Sequence, residues 1–342
     1  MSQRSRQARA CASPHARRAL RSGAQGGQRG AALLVALLTV ALVATLAAAG
    51  LWQQWRAVEV EAAERQRAQA AWVLSGALDW ARLILREDAA AGGVDHLGEP
   101  WAVPLREARL ATFLAADRSA DASTSSVADS FLSGDIIDLQ SRLNVTNLVE
   151  AGRVSPAAMA AFTRLFILLG LPASDVETLA RQMLRASQAS QGALPVDGAP
   201  VPLLPQATSE LVWLGLSPST VQAIGPHVTV LPARTPVNLN TASATVIYAA
   251  IDGISLADAQ RLVAQRATRH LRSLADVTPI FGPTARIGDG TASVSSRFFE
   301  VRGRLRMDDQ IVEERSLVQR DNVRVQALRR QRVPAASPAA PS

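Results

Sequence analysis

From Ala31 to Trp55 no position carries a charge. The run AALLVALLTVALVATLAAAGLWQQW is longer than the ~20 residues a helix needs to cross the hydrocarbon core of a bilayer. Trp52 and Trp55 close it, where aromatic side chains sit at a membrane–water boundary. Beyond it the apolar positions thin out but do not stop. Between Arg56 and Glu87 there is no Pro and Gly76 is the one Gly. There Ala62, Ala68, Trp72, Leu78 and Leu85 make a loose apolar stripe among Glu, Arg and Gln. The pattern predicts one continuous helix of about 55 residues, roughly 80 Å at 1.5 Å per residue.

Further on the pattern changes period several times. Gly and Pro mark 89–104 as a loop, and Asp, Ser and Ala mark 116–134 as a connector. In DIIDLQSRLNVTNL, 135–148, the apolar Ile136, Ile137, Leu139, Leu143 and Val145 suit a strand ending at the Asn-rich stretch. Residues 155–187 read as two helices broken at Gly170-Leu171-Pro172. The second is expected to be capped by Ser174 or Asp175, with Val176, Leu179 and Leu184 inward. A polar, Pro-rich loop, 188–206, precedes a helix near Ser209-Glu210-Leu211. PVNLNTASATVIYAAI reads as a strand-like approach, a turn and a helix capped by Thr241 or Ser243. Residues 252–266 add a turn and a helix, and 271–282 a short helical turn. Phe299, Val301, Leu305 and Met307 then alternate with Glu300, Arg302, Arg304 and Arg306, the period of a half-buried strand. Asp308-Asp309-Gln310 makes the turn into a second strand, Ile311 to Arg320.

The implied fold class is α+β. A long N-terminal transmembrane helix packs on a small antiparallel sheet that carries a large inserted all-α domain. The boundaries are 1–30 for a leader, 31–55 for the membrane span, 56–145 for the helix extension and first strand, 146–285 for the inserted domain, 286–325 for the hairpin and 326–342 for a disordered tail. The hairpin is expected to pair back on the strand near 135–145.

Charge narrows the picture. The net charge is +7, which by itself suggests a polyanion binder. Every basic side chain is Arg, and seven lie in residues 1–30, at Arg4, Arg6, Arg9, Arg17, Arg18, Arg21 and Arg29, with no acid among them. Of the 36 arginines, 29 remain against 29 acids, so the body is neutral and has no global field for polyanions. Arginines before the span and acids only from Glu59 put the leader in the cytoplasm and the body outside. Cys11 is the one cysteine, so no intrachain disulfide or Cys-based metal site can form.

Three fates fit the junction: an uncleaved signal anchor, a signal peptide cut at Ala47-Ala48-Ala49, and a prepilin-type leader cut between Gly30 and Ala31. The second needs a shorter apolar run than this one. For the third the leader is long, which leaves a start site nearer the helix open.

Several stretches together resemble the minor pseudopilin K family of type II secretion systems. They are Gly30 followed by AALLVALL, the Trp72–Asp88 helix, Trp101 after Gly98-Glu99-Pro100, Asp138 to Leu148, Ser209-Glu210-Leu211, Val237 to Ser243, and Ser296-Arg297-Phe298-Phe299. The resemblance spans nearly the whole chain in family order. It implies a tip subunit of a short periplasmic filament, held in the bacterial inner membrane and processed by the prepilin peptidase. Other minor pseudopilins would be its partners, with secreted cargo and the outer-membrane secretin as further contacts. Val35 is the fifth residue after the proposed cut, where most pilin-like subunits carry Glu. A charge at that depth is costly unless paired, so Val there removes one docking interaction and suits a subunit with no neighbour above. Val is also an ordinary membrane residue. The family associates an acidic, Trp-containing segment with calcium. Here 181–189 reads RQMLRASQA with Asp197 the only acid nearby, so no calcium site is expected there; no cofactor is expected, and calcium elsewhere in the chain stays open.

The main rival is helix-hairpin-helix DNA binding. VNLNTASATVIYAAIDGISLADAQRLVAQR resembles the module of competence DNA receptors, in which turn amides contact phosphate. The turn, Gly253-Ile254-Ser255, lacks a second Gly, although Arg261, Arg266, Arg269 and Arg272 could meet phosphates. The plainer reading, that the turn only packs two helices, is preferred, and nucleic acid is not expected as a partner. No enzyme is expected: His15, His96, His227 and His270 are scattered without ligand spacing, and no nucleophile or nucleotide motif occurs.

Overall fold

The computed structural model describes residues 28–111, 130–192, 200–288, 290–307 and 310–334. They fall into two units divided after Gln66.

The first unit is the N-terminal part of helix α1, which runs Gln28–Ala91. The helix is unbroken, as the uncharged run and the missing prolines require. It extends to Ala91, into the segment expected as loop. Its apolar side chains from Leu33 to Val60 are all exposed. Among the described residues it is the one helix long and apolar enough to cross a membrane. Thr39 and Thr45 donate their hydroxyls to Ala36 O and Leu42 O, which removes their polar groups from an apolar surrounding.

The second unit begins at Arg67. After a 3-10 turn at Pro100–Ala102 come strands β1 (Leu105–Arg109) and β2 (Phe131–Asp138). Short strands β3 (Leu143–Asn144), β4 (Val149–Glu150) and β5 (Arg153–Val154) lead into helices α2 (Pro156–Leu168) and α3 (Ala173–Ser190). A 3-10 helix at Thr208–Leu214, α4 (Pro218–Ile224), β6 (Val228–Thr229) and β7 (Val237–Asn238) follow. Then come α5 (Ala244–Ala250), α6 (Leu256–Thr268), a 3-10 turn at Leu274–Val277, α7 (Thr278–Phe281) and β8 (Ala292–Ser293). Strands β9 (Phe298–Met307), β10 (Gln310–Asp321) and β11 (Arg324–Pro334) close the chain.

Strands β1-β2-β9-β10-β11 form one antiparallel sheet in that order. The second half of α1 lies on it through Ala70, Leu74, Leu78, Ala81 and Leu85, a single face at helical spacing. Opposite them are Leu132 of β2, Val301 and Leu305 of β9, and Val318 of β10, the inward positions of the alternation. Pairing of β2 with β9 meets the expectation that the hairpin returns to the first strand. Between these strands residues 143–292 fold as a separate helical block with its own core.

Several boundaries differ from the sequence reading. Strand β2 starts at Phe131, inside the expected connector, and ends at Asp138. There the Asp138 carboxylate accepts the Gln140 N–H and turns the chain into a 3-10 helix. Asn144 does the same for Thr146, so the expected strand over 135–148 is cut into pieces. Strand β1, LREAR, has no counterpart among the expected elements; its sequence is charged and barely alternates. Residues 326–334 are not tail but most of strand β11, paired with β10 from Val312 to Asp321. Its arginines, mostly exposed, interrupt the alternation; Arg330 reaches back to Glu314 and to Ser75 of α1. Helix α3 has Pro172 before it and no side-chain cap, so Ser174 and Asp175 lie in its first turn. Its buried face uses Met183 and Ala186, with Leu184 half-buried. Ser243, not Thr241, caps α5. Asp308 and Asp309 lie outside the described residues, while Gln310 opens β10 opposite Met307.

Candidate functional site

The proposed processing residues Gly30 and Ala31 sit in the first turns of α1, exposed, and Val35 follows one turn later, also exposed. Trp52 and Trp55 lie against each other further along the helix, with ring centroids 5.6 Å apart. Nothing in the described residues buries this stretch, which leaves it free to face lipid or neighbouring helices.

The second unit has its densest chemistry where the helical block meets the sheet. Asp138, at the end of β2, is fully buried and accepts four donors. These are Gln140 N–H (2.7 Å), Asn238 Nδ2 (3.0 Å), Thr241 Oγ1 (2.5 Å) and Ser296 Oγ (2.7 Å). Burial pushes its carboxyl up to about 6, against the pull of these donors. Asn238 and Thr241 belong to the helical block, so this carboxylate ties that block to the sheet. Next to it Asp95 accepts the Ser296 N–H at 2.6 Å and pairs with the buried Arg320. Arg320 also pairs with Asp88 at 2.6 Å and lies over the Phe299 ring. Glu99 accepts Trp101 Nε1 at 2.7 Å and His96 N–H at 2.9 Å. Burial raises it to about 7. The three carboxylates of Asp88, Asp95 and Glu99 lie close together, and the Arg320 guanidinium is shared between two of them. A small apolar cluster of Leu139, Leu231 and Phe298 completes the joint.

The asparagines of the two polar motifs serve the same joint and its surroundings. Asn144 Oδ1 accepts Leu231 N–H and its Nδ2 donates to Ala233 O. Asn147 spans Thr235 from both ends of its amide. Asn240 does likewise with Leu271. Each amide is used as donor and acceptor, so each fixes a loop that no regular ladder could hold.

The helix-hairpin-helix-like turn is covered. Gly253 has φ +81°, and a Cβ there would run into the Thr284 carbonyl oxygen. Thr284 Oγ1 donates to Gly253 O at 3.0 Å, and Arg286 N–H donates to Asp252 O at 2.9 Å. At the start of α6 Ser255 and Asp258 form a capping box, so a carboxylate occupies the place a phosphate would need. Of the arginines, Arg261 pairs with Asp258 and Arg266 donates to Leu239 O. The Ser255 amide and two of the four cations are therefore already committed.

Residues 181–189, where the family's calcium segment would fall, lie on amphipathic α3, and Asp197 lies outside the described residues. Beside α1, Trp72, Trp80, Ile84, Trp101, Val103 and Ile136 line an open, apolar cleft of about 1040 Å³.

Two family models described as type II secretion system (T2SS), protein K, match residues 141–233 and 237–292, nearly the whole helical block. Type II secretion system protein K of Pseudomonas aeruginosa (strain PAO1) is 30% identical over 303 residues, which cover 83% of this chain and 86% of that protein. This chain belongs to the type II secretion system protein K family. It is thus a minor pseudopilin of that system, and α1 provides its single membrane-anchoring helix. A chain of the crystal structure of the GspK-GspI-GspJ complex from enterotoxigenic Escherichia coli type 2 secretion system has the same fold. Its TM-score is 0.60 at 20% identity, over 80% of this chain and 99% of that one. The DNA-receptor reading has no support from these relatives and is opposed by the covered turn.

The family motifs of this chain thereby acquire a physical meaning. Asp138, Asn238 and Thr241 are the residues that hold the helical block on the sheet. Asp95, whose carbonyl oxygen accepts Asn238 Nδ2, and Arg320, which pairs with Asp95, carry no signal in the sequence. Each lies in an ordinary loop or strand, and only the fold brings them together.

Proposed function

We propose that this pseudopilin is the tip subunit of a short periplasmic filament, anchored in the inner membrane and matured by cleavage between Gly30 and Ala31. The observation that carries the reading is the pairing of an exposed, uncharged helix, with Val35 five residues after the cut, and a bulky helical block inserted in the pilin-like sheet. An unpaired Glu at the depth of residue 35 would be costly at a filament end, and Val avoids that cost. A block of about 150 residues above the sheet leaves no room for another subunit to stack there. Other minor pseudopilins are its partners in this reading, as GspI and GspJ are joined with GspK in the Escherichia coli complex. The cleft beside α1, with its three tryptophans, offers the kind of surface that anchors protein interfaces.

The test is genetic and biochemical. Removing the gene should abolish export of folded substrates, and the tagged full chain, extracted in mild detergent, should copurify the other minor pseudopilins. A Val35→Glu variant should still be processed and inserted. Normal export without the protein would contradict the proposal.

A further inference from the structure

His96 and His270 lie on the two sides of the joint. His96 is in the loop after α1. His270 is in the segment between α6 and the Leu274–Val277 turn of the helical block. Their rings are stacked face to face, with centroids 3.8 Å apart and planes at 8°. Both loops are held from behind. Asp95 N–H donates to Val294 O, and Leu271 is clasped by both ends of the Asn240 amide. The rings therefore cannot drift apart without a change at the joint.

We propose that the stacked imidazoles of His96 and His270 form a proton-sensitive latch between the sheet and the helical block, closed while at least one ring is neutral and released when both are charged. Two neutral rings, or one neutral and one charged, stack favourably. Two imidazolium ions at this distance repel. Uptake of a second proton by the stack is resisted by the charge of the first. Local geometry adds to the resistance at His96. Its Nδ1 accepts the Gly98 N–H at 3.1 Å, so protonating that nitrogen breaks the bond. Desolvation and the neighbouring His270 both lower its pKa, while Asp88 and Asp95 raise it. Charged groups face the pair from both sides. Asp88 and Asp95 are paired with Arg320. Glu99 accepts the His96 N–H. On the other side Arg269 and Arg272 flank His270, and Asp276 accepts the Arg272 N–H.

The experiment uses the full chain in detergent micelles, with Cys11→Ser and spin labels at Val323→Cys on the sheet and Glu177→Cys on α3, both exposed. Between pH 7.5 and 4.5 the distance distribution should broaden or lengthen. In His96→Gln and in His270→Gln, which cannot carry two charges, it should stay as at pH 7.5. Imidazole resonances should show His96 taking up its proton at higher pH in His270→Gln than in the parent. An unchanged parent distribution would overturn the latch. So would the same broadening in both Gln variants, or a His96 titration left unmoved in His270→Gln.

Discussion

The Thr241 hydroxyl donates to the Asp138 carboxylate at 2.5 Å across 103 positions of sequence. This bond fastens the first loop of the α5 hairpin to the end of β2, and with it the helical block to the sheet. It also removes Thr241 from the capping role that its sequence position suggests. Replacing Asp138 by Asn puts an N–H₂ group among four donors. Asp138→Asn should destabilise the second unit by about 2–3 kcal/mol, the cost of unmatched buried donors. Denaturant unfolding followed by Trp101 fluorescence measures it.

Arg320 is the counter-charge of two carboxylates, Asp88 and Asp95. Removing one partner of a buried ion pair leaves an uncompensated charge, which costs about 3–5 kcal/mol. Arg320→Leu should therefore be severely destabilised, while Arg320→Lys, which keeps the charge but loses the fork, should lose less. Thermal unfolding of both variants in the same detergent checks the ranking.

Glu99 gives a pH dependence with a definite sign. Its folded pKa is raised to about 7 from the usual 4.5, so the folded chain holds this proton more tightly than the unfolded chain. Its contribution to stability is complete below about pH 4.5 and is lost as pH rises through about 7. Asp138 contributes in the same direction, from 3.8 to about 6. Glu99→Gln keeps an acceptor for Trp101 Nε1 but cannot titrate. In that variant the fall in stability should be confined to the lower, Asp138 range, as read from unfolding midpoints between pH 4.5 and 7.5.

The covered hairpin turn makes a separate prediction. Gly253→Ala forces a Cβ against the Thr284 carbonyl in a left-handed conformation, and should cost about 1–3 kcal/mol of stability. Duplex DNA should not be retained by the detergent-solubilised chain at moderate salt, before or after the substitution. Tight, salt-sensitive retention that Gly253→Ala abolishes would show that the turn amides reach phosphate.

What the sequence reveals depends on how locally each feature is encoded. Helix α1 is legible because its signal is an unbroken uncharged run followed by a stretch without Pro. Strands β9 and β10 are legible because Phe299, Val301 and Leu305 alternate cleanly with charges. Strand β11 is not, since arginines interrupt its apolar positions, among them the exposed Arg330 that reaches Glu314. Strand β2 is obscured by Gly134, placed where a Cβ would strike the Arg302 carbonyl oxygen. The joint is the least legible part. Asp95, Asp138, Asn238, Ser296 and Arg320 follow no spacing, and the His96–His270 stack joins two residues that look unrelated along the chain. Motif resemblance points to Asp138 and Asn238 without saying what they do; the hydrogen bonds supply that.

The mature N-terminus tests the central claim most directly. The chain purified from membranes should begin at Ala31, with the α-amino group methylated, as shown by mass spectrometry of its N-terminal peptide. A chain beginning after Ala47 or Ala49 would have lost its anchoring helix, and a chain retaining Gly30 and the arginines before it would not be a processed pseudopilin. Either result would contradict the assignment of Gly30 and Ala31 as the processing junction of a filament subunit.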